Sequence, residues 1–112
     1  MDTFSLGKDE KNGELNVTVR ADLCAENCPE LRESLKNQLS SSEVLSKVVI
    51  DITSVNFIDS AGVGLLIALH NSLEKRDGRL VLTGVCESVF DFLTTLRLHA
   101  HFEICLADNS KE

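Results

Sequence analysis

The segment of this sequence with the most chemistry in it is Val55, Asn56, Phe57, Ile58, Asp59, Ser60, Ala61, Gly62, Val63, Gly64, an Asp-Ser pair that opens an apolar, glycine-dotted stretch. Asp59 or Ser60 can cap a helix beginning here, since either side chain offers an oxygen to the backbone N–H groups that a first turn leaves unpaired. A phosphoryl group on Ser60 would meet the same N–H groups at the positive end of the helix dipole, where added negative charge is tolerated. Gly62 and Gly64 are poor helix formers, and their lack of side chains lets another protein's backbone approach the serine. On the local string alone, an ordinary cap followed by two tight-packing glycines is the simpler account.

Other reactive residues fall into no recognised pattern. Cys24 and Cys28 have three residues between them, which suits neither a redox pair nor a zinc knuckle, and Cys86 and Cys105 form no second pair. Cys28 reads as a core residue. Cys24 reads as a loop thiol with only Arg20 near it in sequence to favour a thiolate. His70, His99 and His101 fit no ligand motif, so neither a metal nor a cofactor is expected. No phosphate-cradling GxxxxGK loop and no GxSxG elbow occur. Asp51 ends an apolar run, as the phospho-acceptor of a receiver domain does, but the acidic pair that would hold magnesium after the first strand is missing.

Size and composition narrow the classes further. The 112 residues, 43% of them apolar, suffice for one hydrophobic core and hence one domain over residues 1–112. The 18 acidic residues outnumber 11 basic ones, giving a net charge of −7, and no basic stripe is visible, which argues against nucleic acid as a partner. All five aromatics are Phe. The start, MDTFSLGKDEKNG, lacks the features of a signal peptide, and the longest apolar stretch, Ala61 to Leu69, is too short to span a bilayer; a cytoplasmic protein with reduced thiols and no membrane partner is expected.

The elements that must position Ser60 can be read from periodicity. Phe4 and Leu6 suggest an edge strand that turns at Asn12 and Gly13, and Leu15, Val17 and Val19 alternate with polar residues as a half-buried strand does. Asn27, Pro29 and Glu30 open a helix whose core face holds Cys28, Leu31, Leu35 and Leu39, ending at Ser40, Ser41, Ser42. Val48, Val49, Ile50 and Ile52 predict a strand covered on both faces, and Leu80 to Leu82 a second apolar strand. A helix from about Ser60 to Lys75 joins them, so the two strands should be parallel. Leu66, Leu69 and Leu73 form its core stripe, whereas Val63, Ile67 and His70 lie on another row that either a neighbouring helix or a partner must cover. A helix through Val89, Phe90, Leu93 and Leu96 and a last strand with Phe102, Ile104 and Leu106 complete an α/β fold: a mixed sheet of about four or five strands with helices packed on it.

The stretch VVIDITSVNFIDSAGVGLLIALHNSLEKRDGRLVLTGV resembles the anti-sigma factor antagonist (STAS domain) family, also found at the cytoplasmic end of sulfate transporters. The matching residues are Asp51, Phe57, Asp59, Ser60, Gly62, Gly64, Gly78 and Leu80 to Leu82, and NCPELRESL is similar to the family's first helix. That resemblance implies a protein-binding module in place of an enzyme. The unmodified form would bind an anti-sigma factor that is also a serine kinase, and phosphorylation of Ser60 would end the contact. A serine phosphatase would reset it, and ATP and magnesium would belong to the kinase.

The implied contact surface is Asp59, Ser60, Ala61, Gly62, Val63, Gly64 and Ile67, with the Cys24 loop beside it. Two positions depart from the family pattern. Ala61 replaces a second serine, and Cys24 stands where a loop Asp is usual, with Asp22 two residues earlier. A scaffold of the same family in which Ser60 is never modified is the alternative reading.

Overall fold

One alternating strand determines which way the sheet faces. In β2, Glu14–Val19, the residues Leu15, Val17 and Val19 are buried while Asn16 is exposed. Parallel pairing sets Leu15 beside Val48 and Val17 beside Ile50 of β3, Lys47–Asp51, and the next parallel pairing continues these rows to Leu80 and Leu82 of β4, Arg79–Val85. Those six side chains form one apolar face, none more than 1% exposed. The computed structural model describes residues 3–9, 11–41 and 45–107.

Three helices bury their apolar sides in the same cluster. Leu31 and Leu35 come from α1, Cys28–Ser41; Leu66, Leu69 and Leu73 from α2, Ser60–Glu74; Val89 and Leu93 from α3, Glu87–Thr95. The spacing of three and four within each helix is what brings these residues to one side. Among the described residues, no helix is long and apolar enough to cross a membrane.

The sheet has five strands in the order β1-β2-β3-β4-β5, with β1 (Phe4–Asp9) antiparallel and the others parallel. β1 pairs with β2 at six positions. Its return turn uses Gly13 at φ 64, in the left-handed region that glycine enters without a steric cost. β5, Glu103–Leu106, closes the far edge after a short 3₁₀ turn at Leu98–Ala100.

Cover on both faces of β3, expected from its β-branched run, is not found. Val48 and Ile50 are buried but Val49 is only half-buried. Across the second face the register instead lines up Glu14, Lys47 and Arg79 in one row and Thr18, Asp51 and Thr83 in another. Val81 is buried there outside the main cluster, flanked by Val49 and Glu103, so the two valines cover each other beneath longer polar neighbours. A local run of Val and Ile reads the same whether its second face meets a helix or a thin polar fringe.

The start of α1 also differs in detail from expectation. The Asn27 side chain does not cap the helix but donates to the Asp22 carbonyl at 2.9 Å and to the Cys24 sulfur at 3.5 Å. The turn before the helix is closed by the Cys28 N–H, which donates to the Cys24 carbonyl at 2.9 Å. The helix runs to Ser41; Ser42 lies outside the described residues.

Candidate functional site

Two loops meet at the head of α2. The segment after β2 and the segment after β3 form a one-residue parallel bridge between Leu23 and Ile58. In it the Leu23 N–H donates to the Phe57 carbonyl at 3.1 Å and the Asp59 N–H donates to the Leu23 carbonyl at 3.1 Å. The Asp22 carboxylate accepts from the Asn56 N–H at 3.0 Å and fastens the same junction. Asp22 is therefore engaged within the loop pair, two residues from the position where Cys24 stands.

Asp59, and not Ser60, is the N-cap of α2. Its extended backbone, φ −105 and ψ −169, lets Oδ1 accept from the N–H groups of Ala61 at 2.8 Å and Gly62 at 3.2 Å. Oδ2 accepts from the Ala25 N–H at 3.1 Å, so one carboxylate joins the Cys24 loop to the helix. Partial desolvation alone would raise the Asp59 pKa, but the N–H donations from Ala25, Gly62 and Ala61 outweigh it and hold the group below the ordinary carboxylate range.

This arrangement predicts a pH signature. A carboxyl held low in the folded state contributes stability that is complete above its unfolded value and is lost as pH falls through the folded one. Asp59→Asn should therefore be less stable than the parent chain at neutral pH, with the gap closing below about pH 4. Chemical denaturation across pH 2 to 7 measures it; a gap independent of pH would remove the charged cap from the account.

With the cap supplied by its neighbour, Ser60 is left exposed at the first position of the helix, and among the described residues its hydroxyl has no partner. A phosphoryl donor can reach it from solvent. Around it, Ala61, Val63 and Gly64 are half-buried and Ile67 is 37% exposed. Val63 packs partly against the core, so of the row Val63, Ile67 and His70 only Ile67 is exposed, and that in part. His70 leans on Phe102, ring centroids 5.5 Å apart, and also faces His101 at 5.8 Å.

The structure separates the two glycines that the sequence put together. A Cβ on Gly62 would collide with the Leu23 carbonyl oxygen and stand 2.8 Å from Ile58 Cγ2. Gly62 is buried, and the backbone that approaches it belongs to this chain's own Leu23 loop, so the expected contact of Gly62 with a partner is withdrawn. Among the described residues a Cβ on Gly64 would meet only the Arg32 guanidinium, at 3.8 Å.

Cys24 is half-buried, one residue before the Ala25 N–H that Asp59 holds, and Cys28 is buried. Burial and then the charge of Asp59 push the Cys28 thiol up. Among the described residues no group of three or more His, Cys, Asp or Glu is placed to hold a metal ion.

One surface residue at this site was missed by sequence reasoning as a contact. Phe57 is 55% exposed, between buried Val55 and buried Ile58, at the rim of the Ser60 surface. An aromatic side chain in a polar loop whose neighbours fill the core is the signal that could have singled it out.

Three comparisons bear on this geometry. The model of the STAS domain family matches residues 6–110. The anti-sigma-B factor antagonist of Listeria monocytogenes serovar 1/2a is 30% identical over 84 residues, which are 74% of this chain and 71% of that protein. Among solved structures, an anti-sigma-factor antagonist (STAS) domain protein from Planctomyces limnophilus superposes with a TM-score of 0.79 at 13% identity, covering 96% of this chain and 92% of the other. The Bacillus cell fate determinant SpoIIAA in its phosphorylated form gives 0.72 at 17% identity, covering 96% and 94%. At those identities the two structures speak for the fold alone.

Proposed function

The chain belongs to the STAS domain family, and from that premise we propose that it is an anti-sigma factor antagonist whose contact with an anti-sigma factor serine kinase is switched by phosphorylation of Ser60. The observation that carries this reading is the division of labour at the head of α2. Asp59 takes the capping bonds and leaves the Ser60 hydroxyl exposed and unbonded among the described residues. A serine serving as the cap would have its oxygen engaged by those N–H groups. Here the hydroxyl is spare.

In this reading the protein is not an enzyme. It acts in the cytoplasm, the kinase brings ATP and magnesium, and a serine phosphatase removes the phosphate. The partner would sit on Ser60, Ala61, Gly64 and Ile67, with Asp59, Val63 and Cys24 forming the rim. The experiment is incubation with ATP and the serine-kinase anti-sigma factors encoded in the source genome, followed by intact mass and peptide mapping. One added phosphate on Ser60, absent in Ser60→Ala, is the expected result. A label elsewhere, or none, would leave the scaffold reading.

Phe57 gives a second test of the same surface. An exposed aromatic bordering a docking patch becomes an anchor once the partner covers it, and aromatic anchors dominate affinity. Phe57→Ala should weaken kinase binding at least about 10-fold while leaving the thermal midpoint nearly unchanged, because the ring is exposed in the free domain. Surface plasmon resonance against the immobilised kinase reads the first quantity and calorimetry the second.

A further inference from the structure

Beside the exposed face of α2 runs a second surface, a groove between α1 and α2 with a volume of about 400 Å³. Leu35, Leu65 and Leu69 form its floor, and Arg32, Lys36 and Arg76 supply its charge. Among the described residues no Asp or Glu lines it, although the chain has 18 acidic residues against 11 basic ones. Arg32 and Lys36 stand four residues apart on α1 and so share one side of that helix. Among the described residues neither has a carboxylate within ion-pair distance. Arg76 is held in place by donating to the Leu39 carbonyl at 2.9 Å and the Leu45 carbonyl at 3.1 Å.

The groove opens toward Ser60. Gly64, one turn along α2 from that serine, has the Arg32 guanidinium as its neighbour across the helices. A surface seated on Ser60 and Gly64 would thus continue onto the two unpaired cations.

We propose that the groove receives an acidic segment of the same protein that docks on Ser60, its carboxylates on Arg32 and Lys36. This rests on the reading of Ser60 as the centre of a partner surface. A purely apolar segment would desolvate both cations without compensation. Nucleic acid, with its continuous phosphate charge, is opposed by the net −7 of the chain. An acidic segment satisfies the charged lining. Its attraction is that of rim charges, which act on the association rate and are screened by salt.

The test is the double variant Arg32→Glu/Lys36→Glu, both exposed positions, with circular dichroism to verify the fold. Its affinity for the kinase should fall at least about 10-fold at low salt, with the difference from the parent chain narrowing as salt is raised. Phe57→Ala is measured in parallel. Weakening by Phe57→Ala but not by the double reversal would overturn the groove proposal and leave the proposed function standing; no weakening by either would overturn both. A second arm needs no kinase: ¹⁵N-labelled protein is titrated with a short synthetic peptide carrying Glu and Leu at helical spacing, and separately with inorganic phosphate. Shifts gathered at Arg32, Lys36, Ala68 and Ser72 with the peptide support the proposal. The same shifts with phosphate alone, or a concentration-dependent dimer that the double reversal abolishes, would overturn it in favour of a simple anion site or a second copy of the chain.

Discussion

Gly62→Ala should melt about 5 to 15 °C below the parent chain, whereas Gly64→Ala should melt at the same temperature or slightly higher. Both changes offer the same gain, up to about 1 kcal/mol of helix propensity. They differ in what the added methyl meets. At Gly62 the obstacle is the Leu23 carbonyl oxygen, which is backbone and cannot rotate away, together with the Leu23 and Ile58 side chains. To make room, α2 must separate from the Leu23 loop, and the bond from the Asp59 N–H to that same carbonyl is then strained. Overpacking of this kind costs about 1 to 3 kcal/mol, with up to about 1.5 kcal/mol more for a lost backbone bond, so the clash outweighs the propensity. At Gly64 the only neighbour among the described residues is the far end of a flexible arginine at an ordinary contact distance. Scanning calorimetry of both variants decides it, and equal midpoints would mean that the head of α2 is not clamped as described.

The second large effect is expected at Ser60 itself. Ser60→Asp should bind the kinase about 5-fold to 150-fold more weakly than the parent chain, the span of a 1 to 3 kcal/mol coupling, while Ser60→Ala should bind as tightly as the parent and never be released by ATP. Phosphorylation adds about −1.5 to −2 units of charge and three acceptor oxygens at neutral pH. The domain can accept that charge without refolding, because Ser60 is solvent-exposed at a helix N-terminus. A partner fitted around a hydroxyl cannot. The effect therefore falls on the interface, and the circular dichroism of all forms should coincide. Indistinguishable affinities for Ser60→Asp and Ser60→Ala would reduce the residue to the first position of a helix and nothing more.

Which parts of this arrangement were legible in the sequence follows from the range over which each signal acts. The alternation of Leu15, Val17 and Val19 and the three-and-four spacing of Leu66, Leu69 and Leu73 are local, and they gave the strand, the helix and their buried sides correctly. The helix start was legible to within one residue because only Asp59 and Ser60 could cap it, but local chemistry could not choose between them. The choice is made by Ala25, which comes from a distant part of the chain to share the Asp59 carboxylate. Likewise the role of Gly62 depends on Leu23, which no periodicity connects to it. The nearness of the Cys24 loop to Ser60 came from family resemblance and not from spacing. The second face of the sheet was misread because Val49 and Val81 look like core residues in sequence, whereas they lie side by side outside the main cluster, Val49 only half-buried.

The central claim is that a single phosphate on Ser60 changes the partner's grip and not the domain. Its most direct test is one pair of calorimetric titrations, the cognate kinase with the unmodified chain and with the chain phosphorylated at Ser60 and verified by mass. The account predicts a dissociation constant higher by about 5-fold to 150-fold for the phosphorylated form, at unchanged secondary structure. Equal constants for the two forms would contradict it.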